Sequence, residues 1–129
     1  MTTKIINEIA KMHLNALTHN DIHIHNILVK DVTAEGSNAF FLDTLAVKKR
    51  NNRTLFSLLD IGKFYFWMQN DKKDSYLLPK EREYILKEYY KQTSDIYPFN
   101  YCVFRFMIKV IAMFIKKTYN LNRSIRNIQ

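Results

Sequence analysis

The sequence predicts a mainly α fold carrying one small β-hairpin, an α+β arrangement within a single domain. Three observations predict it. The chain holds only two glycines and two prolines, too little turn punctuation for a β-sandwich but sufficient for helices joined by short polar loops. Apolar residues make up 47% of it and aromatic residues 14%, enough to fill a packed core. Its 129 residues match the size of one such core.

The elements follow in order. Thr2 and Thr3 can cap a helix over residues 4–17, in which Ile5, Ile9, Met12 and Ala16 recur at three- and four-residue steps. Residues 18–26, dense in His, Asn and Asp, are too polar for a core element and read as a loop. Ile27, Leu28 and Val29 form a short strand. The turn signal Glu35-Gly36-Ser37-Asn38 leads to a second strand over 39–42, so the pair predicts a hairpin. A basic loop spans 47–53. A mostly buried helix follows over 54–69 with Leu55, Leu58, Leu59, Phe66 and Trp67 inward, weakened locally by Gly62. The aromatic run from Phe64 to Trp67 belongs to the core. After a charged linker over 70–75, Pro79 opens a helix to about residue 92, with Glu81 and Glu83 near its positive end and Lys87 and Lys91 near the other. Tyr97-Pro98 breaks the chain before a last helix over about 100–119. That helix sets Arg105, Lys109 and Lys116 on one face and Phe104, Met107, Ile108, Ile111 and Ile115 on the others.

A lone cysteine, Cys102, excludes an internal disulfide and a four-cysteine zinc site, and a reducing cytoplasmic compartment is the expectation. The first ten residues contain Glu8 and no long apolar run, unlike a secretory leader. The longest apolar region, 101–115, is interrupted by Arg105 and Lys109 and is too short to span a membrane. The net charge is +8, and the six basic residues beyond Asp95, with no acidic residue among them, supply +6 of it. Such an excess favours anionic partners: phospholipid head groups, phosphorylated glycans or nucleic acid.

The chemistry concentrates in His19-Asn20-Asp21-Ile22-His23-Ile24-His25-Asn26-Ile27-Leu28 and in Phe41-Leu42-Asp43-Thr44 beyond the predicted hairpin. Phosphoryl transfer needs a carboxylate to orient the attacking hydroxyl and take its proton, and oxygen ligands to hold Mg²⁺ on the nucleotide phosphates. Asp21 fits the first role. Asn26 and Asp43 fit the second, as a carboxamide oxygen and a carboxylate at the ends of neighbouring segments. His19 would pack and hydrogen-bond to fix the loop.

At these residues the chain resembles the protein-kinase-like superfamily, whose catalytic loop reads H-x-D-x-x-x-x-N and whose metal-binding Asp follows on the next hairpin. The variant H-N-D-I-H-I-H-N-I-L is similar to the small-molecule branch of aminoglycoside and choline kinases. Within it, Met12-His13, Leu42-Asp43-Thr44, the basic loop and Leu58-Leu59-Asp60-Ile61-Gly62-Lys63 look most like the lipopolysaccharide core kinases of the Kdo and heptose kinase family.

The resemblance implies a C-terminal lobe over 1–129, with a catalytic loop at 19–28, a metal-binding hairpin at 27–44 and a helical remainder over 54–120. It implies Asp21 as base, Asn26 and Asp43 as Mg²⁺ ligands, His19 and His23 as loop-structuring residues, and ATP and Mg²⁺ as cofactors. The acceptor would be a sugar or a lipid-linked glycan, with Lys48, Lys49 and Arg50 as candidate contacts. The glycine-rich N-terminal lobe that grips the nucleotide has no counterpart here, so the expectation is a partial enzyme, cytoplasmic or peripheral at the inner membrane face. Nucleic acid is not the favoured partner.

Other readings compete with this one. His19, Asp21, His23 and His25 alternate and could form a metallohydrolase site with Asp43 or Asp60. A non-catalytic module could use the basic tail on a membrane surface or RNA. Asp60 itself reads as a helix-surface or capping carboxylate.

Overall fold

A computed structural model describes residues 2–22, 26–30, 38–41, 47–70 and 77–128. It is mostly helical. Helices α1 (Thr2–Leu14), α2 (Arg53–Asn70), α3 (Pro79–Thr93) and α4 (Tyr101–Ile128) surround one core, joined by short strands β1 (Leu17–Thr18), β2 (Ile27–Lys30), β3 (Asn38–Phe41) and β4 (Lys48–Lys49). The hairpin is present: β2 and β3 pair antiparallel with Ile27 opposite Phe41 and Lys30 opposite Asn38. Its turn at 35–37 and the segment carrying Asp43 lie outside the described residues.

Helix α1 stops three residues before the predicted end. Ala16 adopts a left-handed φ of 59°, and the amides of Asn15 and Ala16 close on the carbonyls of Lys11 and His13, so the chain turns out of the helix and Leu17–Thr18 becomes a strand. Part of the expected basic loop is its partner. Lys49 lies opposite Leu17 and Lys48 opposite Thr18, and the Arg50 amide donates to the Ala16 carbonyl at 2.8 Å.

Helix α1 packs on α3, and α2 packs on α4. Ile6, Ile9 and Ala10 of α1, Leu58, Ile61, Phe64, Tyr65 and Phe66 of α2, Ile85, Leu86 and Tyr89 of α3, and Phe104, Ile108 and Ala112 of α4 make the core. Leu55 and Leu59, expected inside, face outward on α2. Gly62 is buried rather than merely a weak point: a Cβ there would sit 2.5 Å from Cγ2 of Ile111, so the missing side chain sets how closely α2 and α4 approach.

Pro79 begins α3 as predicted, and the Glu81 carboxylate accepts the Leu78 amide at 2.6 Å. Ser94–Ile96 forms a single 3-10 turn before the Tyr97-Pro98 break. Helix α4 runs nine residues past its predicted end at about 119, because no Gly or Pro follows Pro98 to stop it. Thr118 and Ser124 turn their hydroxyls onto the carbonyls of Phe114 and Asn120, both at 3.0 Å. No single helix among the described residues is long and apolar enough to cross a membrane.

Candidate functional site

The polar loop after β1 is held from three sides. Asn20 adopts a left-handed φ of 69°, a conformation Asn tolerates better than most residues. The loop then presents two successive amides to one carboxylate. Asp60, 2% exposed on α2, accepts the His19 N–H at Oδ2 (2.9 Å) and the Asn20 N–H at Oδ1 (2.8 Å).

The same Oδ2 lies 2.8 Å from Nε2 of His13, at the end of α1. Because a carboxylate only accepts, Nε2 carries the hydrogen. His13 Nδ1 in turn meets the Tyr89 hydroxyl at 2.6 Å, and Tyr89 meets the Tyr97 hydroxyl at 2.7 Å. Burial pushes both phenols above the ordinary tyrosine range, so each keeps its proton for this chain of hydrogen bonds. His13 and His19 are fully buried. One carboxylate thus ties α1, the loop and α2 to α3, and hydrogen bonds to a charged acceptor contribute about 1.5–3 kcal/mol each.

Cations hold the other sides of the loop. Arg50 donates through Nε to Thr18 Oγ1 (3.0 Å) and through a terminal nitrogen to Asn20 Oδ1 (2.9 Å). Its guanidinium lies 4.3 Å from the centre of the Phe56 ring. Lys63 Nζ donates to the Asn20 carbonyl at 3.1 Å. Asn20 is therefore fixed at its amide, carbonyl and side chain, and the next residue is Asp21.

Asp21 is half-buried, and Asn26 braces it: Nδ2 of Asn26 donates to the Asp21 carbonyl at 3.0 Å and to its Oδ2 at 3.2 Å. With its nitrogen committed to Asp21, Asn26 keeps its carboxamide oxygen as the atom able to take a cation. Beside the loop lies a cavity of about 420 Å³, walled by Phe56, Ile111, Phe114 and Ile115 and edged by Arg50 and Lys63.

The structure brings together Asp21 and Asn26, and His19 is buried with its backbone amide on Asp60. Asp43, His23 and His25 lie outside the described residues. Lys48 and Lys49 are exposed on β4, whereas Arg50 turns onto the loop, so the three basic residues do not act as one patch. Among the described residues no group of three His, Cys, Asp or Glu side chains could hold a metal ion.

Asp60 corrects the sequence reading: it is neither a surface nor a capping carboxylate but the buried acceptor on which the loop is built, and its oxygens already take three donors. His13 and Lys63 were likewise unassigned. The signal available was Asp60 itself, the one acidic residue within Arg53–Asn70, set in an apolar run. Comparison with protein-family models, with curated proteins and with solved structures gives no match for this chain.

Proposed function

We propose that this chain is the C-terminal lobe of a kinase-like phosphotransferase that moves the γ-phosphoryl group of ATP to a sugar hydroxyl, similar to the lipopolysaccharide core kinases. The observation that carries the reading is the double clamp on the loop. Asp60 takes the backbone of His19 and Asn20, while the Asn26 amide braces Asp21. A solvated polar loop needs neither device.

In this reading Asp21 orients the acceptor hydroxyl and receives its proton. The Asn26 oxygen and Asp43 would hold Mg²⁺, which would supply positive charge to offset the negative charge of the transferring phosphoryl group. The roles separate within Asn26, whose nitrogen fixes the base and whose oxygen serves the metal. The cavity beside Asn20 suits an acceptor with an apolar portion, and Arg50 and Lys63 at its edge suit an anionic group on it.

The N-terminal lobe that the resemblance implies would carry adenine and triphosphate recognition. The 129 residues are accordingly expected to bind Mg-ATP weakly and to transfer no phosphoryl group above background. Fusion to a glycine-rich N-terminal lobe of the small-molecule branch should restore both, and Asp21→Asn in the fusion should abolish transfer while leaving ATP binding in place. Equal transfer by the Asp21→Asn fusion would remove the base assignment.

A further inference from the structure

We propose that the distal half of α4, from Met113 to Ile128, docks the protein on an anionic lipid surface. The two halves of the helix differ in what they touch. Phe104, Ile108 and Ala112 are buried against the core. Beyond them Met113, Phe114, Leu121, Ile125 and Ile128 are exposed, Ile128 at 85%, and the half-exposed Tyr119 turns its ring back toward Phe66 and Trp67.

The exposed apolar residues form a stripe. Positions 106, 114, 121, 125 and 128, with half-buried Val110 between the first two, follow a three- and four-residue rhythm, and Lys117 takes the place between 114 and 121. A Lys within such a stripe can bury its stem and carry its ammonium to the head groups. Phe106 extends the stripe toward the core end.

Charge selects the occupant. Arg105 and Lys109, which the sequence put with Lys116 on one binding face, are taken by Glu83 at 2.7 and 3.0 Å. Among the described residues no carboxylate pairs with Lys116, Lys117, Arg123 or Arg126, and no acidic residue lies in that half of the helix. On the same helical rotation Lys117 falls within the stripe and Lys116, Arg123 and Arg126 on the polar side away from it, the division of faces found in a helix that lies in an anionic interface. An anionic bilayer supplies both an apolar layer for Phe, Leu and Ile and negative charge for four cations. Phe114 also walls the cavity beside Asn20, so a docked α4 places that cavity at the lipid boundary, where an amphipathic molecule would enter.

The test is partition of the purified chain onto vesicles of phosphatidylcholine alone and with phosphatidylglycerol, at low and high salt. Each cation near an anionic surface contributes about fivefold, so the mixed vesicles should bind at least tenfold tighter and release the protein in high salt. Lys116→Glu with Lys117→Glu should lower that binding about 25-fold or more on the same per-residue figure. Leu121→Ser with Ile125→Ser, at exposed positions where folding is checked by circular dichroism, should lower it as well. Arg105→Gln should leave it within about twofold, as its charge is already paired. Equal binding to both vesicles, or to neither, overturns the proposal. So does a concentration-dependent dimer that Leu121→Ser and Ile125→Ser abolish in place of lipid binding, which would make a second copy the occupant.

Discussion

Replacing Asp60 by alanine removes an acceptor that three donors share inside the protein. The His19 amide and the His13 ring nitrogen are left buried, and the Asn20 amide partly so. A buried donor stripped of its partner costs about 1–3 kcal/mol. Three together bound the loss at about 9, and because loop and ring can relax together we expect about 3–5 kcal/mol, the range for breaking a buried charged pair. Urea denaturation should show this as a lower midpoint at unchanged slope. Hydrogen exchange gives the sharper reading, because the amides of His19 and Asn20 should lose protection ahead of those in the core of α2. Asp60→Asn keeps one acceptor oxygen and should cost less. Asp95→Ala, at an exposed site, should stay within about 0.5 kcal/mol. A loss below about 1 kcal/mol for Asp60→Ala, or unchanged exchange at both amides, would refute the role given to this carboxylate.

Gly62→Ala should destabilise the protein by about 1–3 kcal/mol, read from thermal or urea unfolding, because the new methyl collides with Ile111 and pushes α4 off α2. Glu83 is held below the ordinary glutamate value, first by its hydrogen bond to Arg105 and also by Lys109. Its contribution is therefore present above that value and is lost as acid protonates it. The ion pair is substantially exposed, so Glu83→Gln should cost less than about 1 kcal/mol at neutral pH and nothing at pH values where the carboxyl is already protonated. Tyr89 and Tyr97 shift the other way: burial raises both, so their contribution holds below the ordinary tyrosine range and fades as alkali titrates them. Tyr97→Phe should lower stability by about 0.5–1.5 kcal/mol and weaken the pH dependence of unfolding in alkali.

Periodicity made the helices legible, since Ile5, Ile9 and Met12, or Phe104, Ile108 and Ile111, mark one side of a helix whatever they pack against. Their ends were less so. The stop after Leu14 depends on Ala16 in a left-handed conformation, which no residue type there announces, and β1 exists only because Lys48 and Lys49 come back to pair with it. The outward turn of Leu55 and Leu59 reflects which side of α2 meets α4, a tertiary choice that the apolar pattern leaves open. Within the site, the spacing from His19 to Asn26 marked a loop with chemistry, because Asp21 and Asn26 are close in sequence and their contact is local. Asp60 stands 41 residues from His19, and nothing local joins them. Its isolation in an apolar helix was the available sign, since a carboxylate so placed must find buried donors. The basic face of α4 was read as one patch because Glu83, which takes Arg105 and Lys109, lies on a different helix.

The claim that Asp21, Asn26 and Asp43 form one metal-dependent phosphotransfer site is tested most directly by adding Mn²⁺ to isotopically labelled protein and mapping which resonances broaden. Paramagnetic relaxation marks the residues around the ion even when it binds weakly. The signals of Asp21, Asn26 and Asp43 should broaden together at the lowest metal concentration, and Asp43→Asn and Asn26→Ala should each shift the effect to higher concentration. Broadening centred on other carboxylates, with Asp21 and Asn26 left sharp, would contradict that claim.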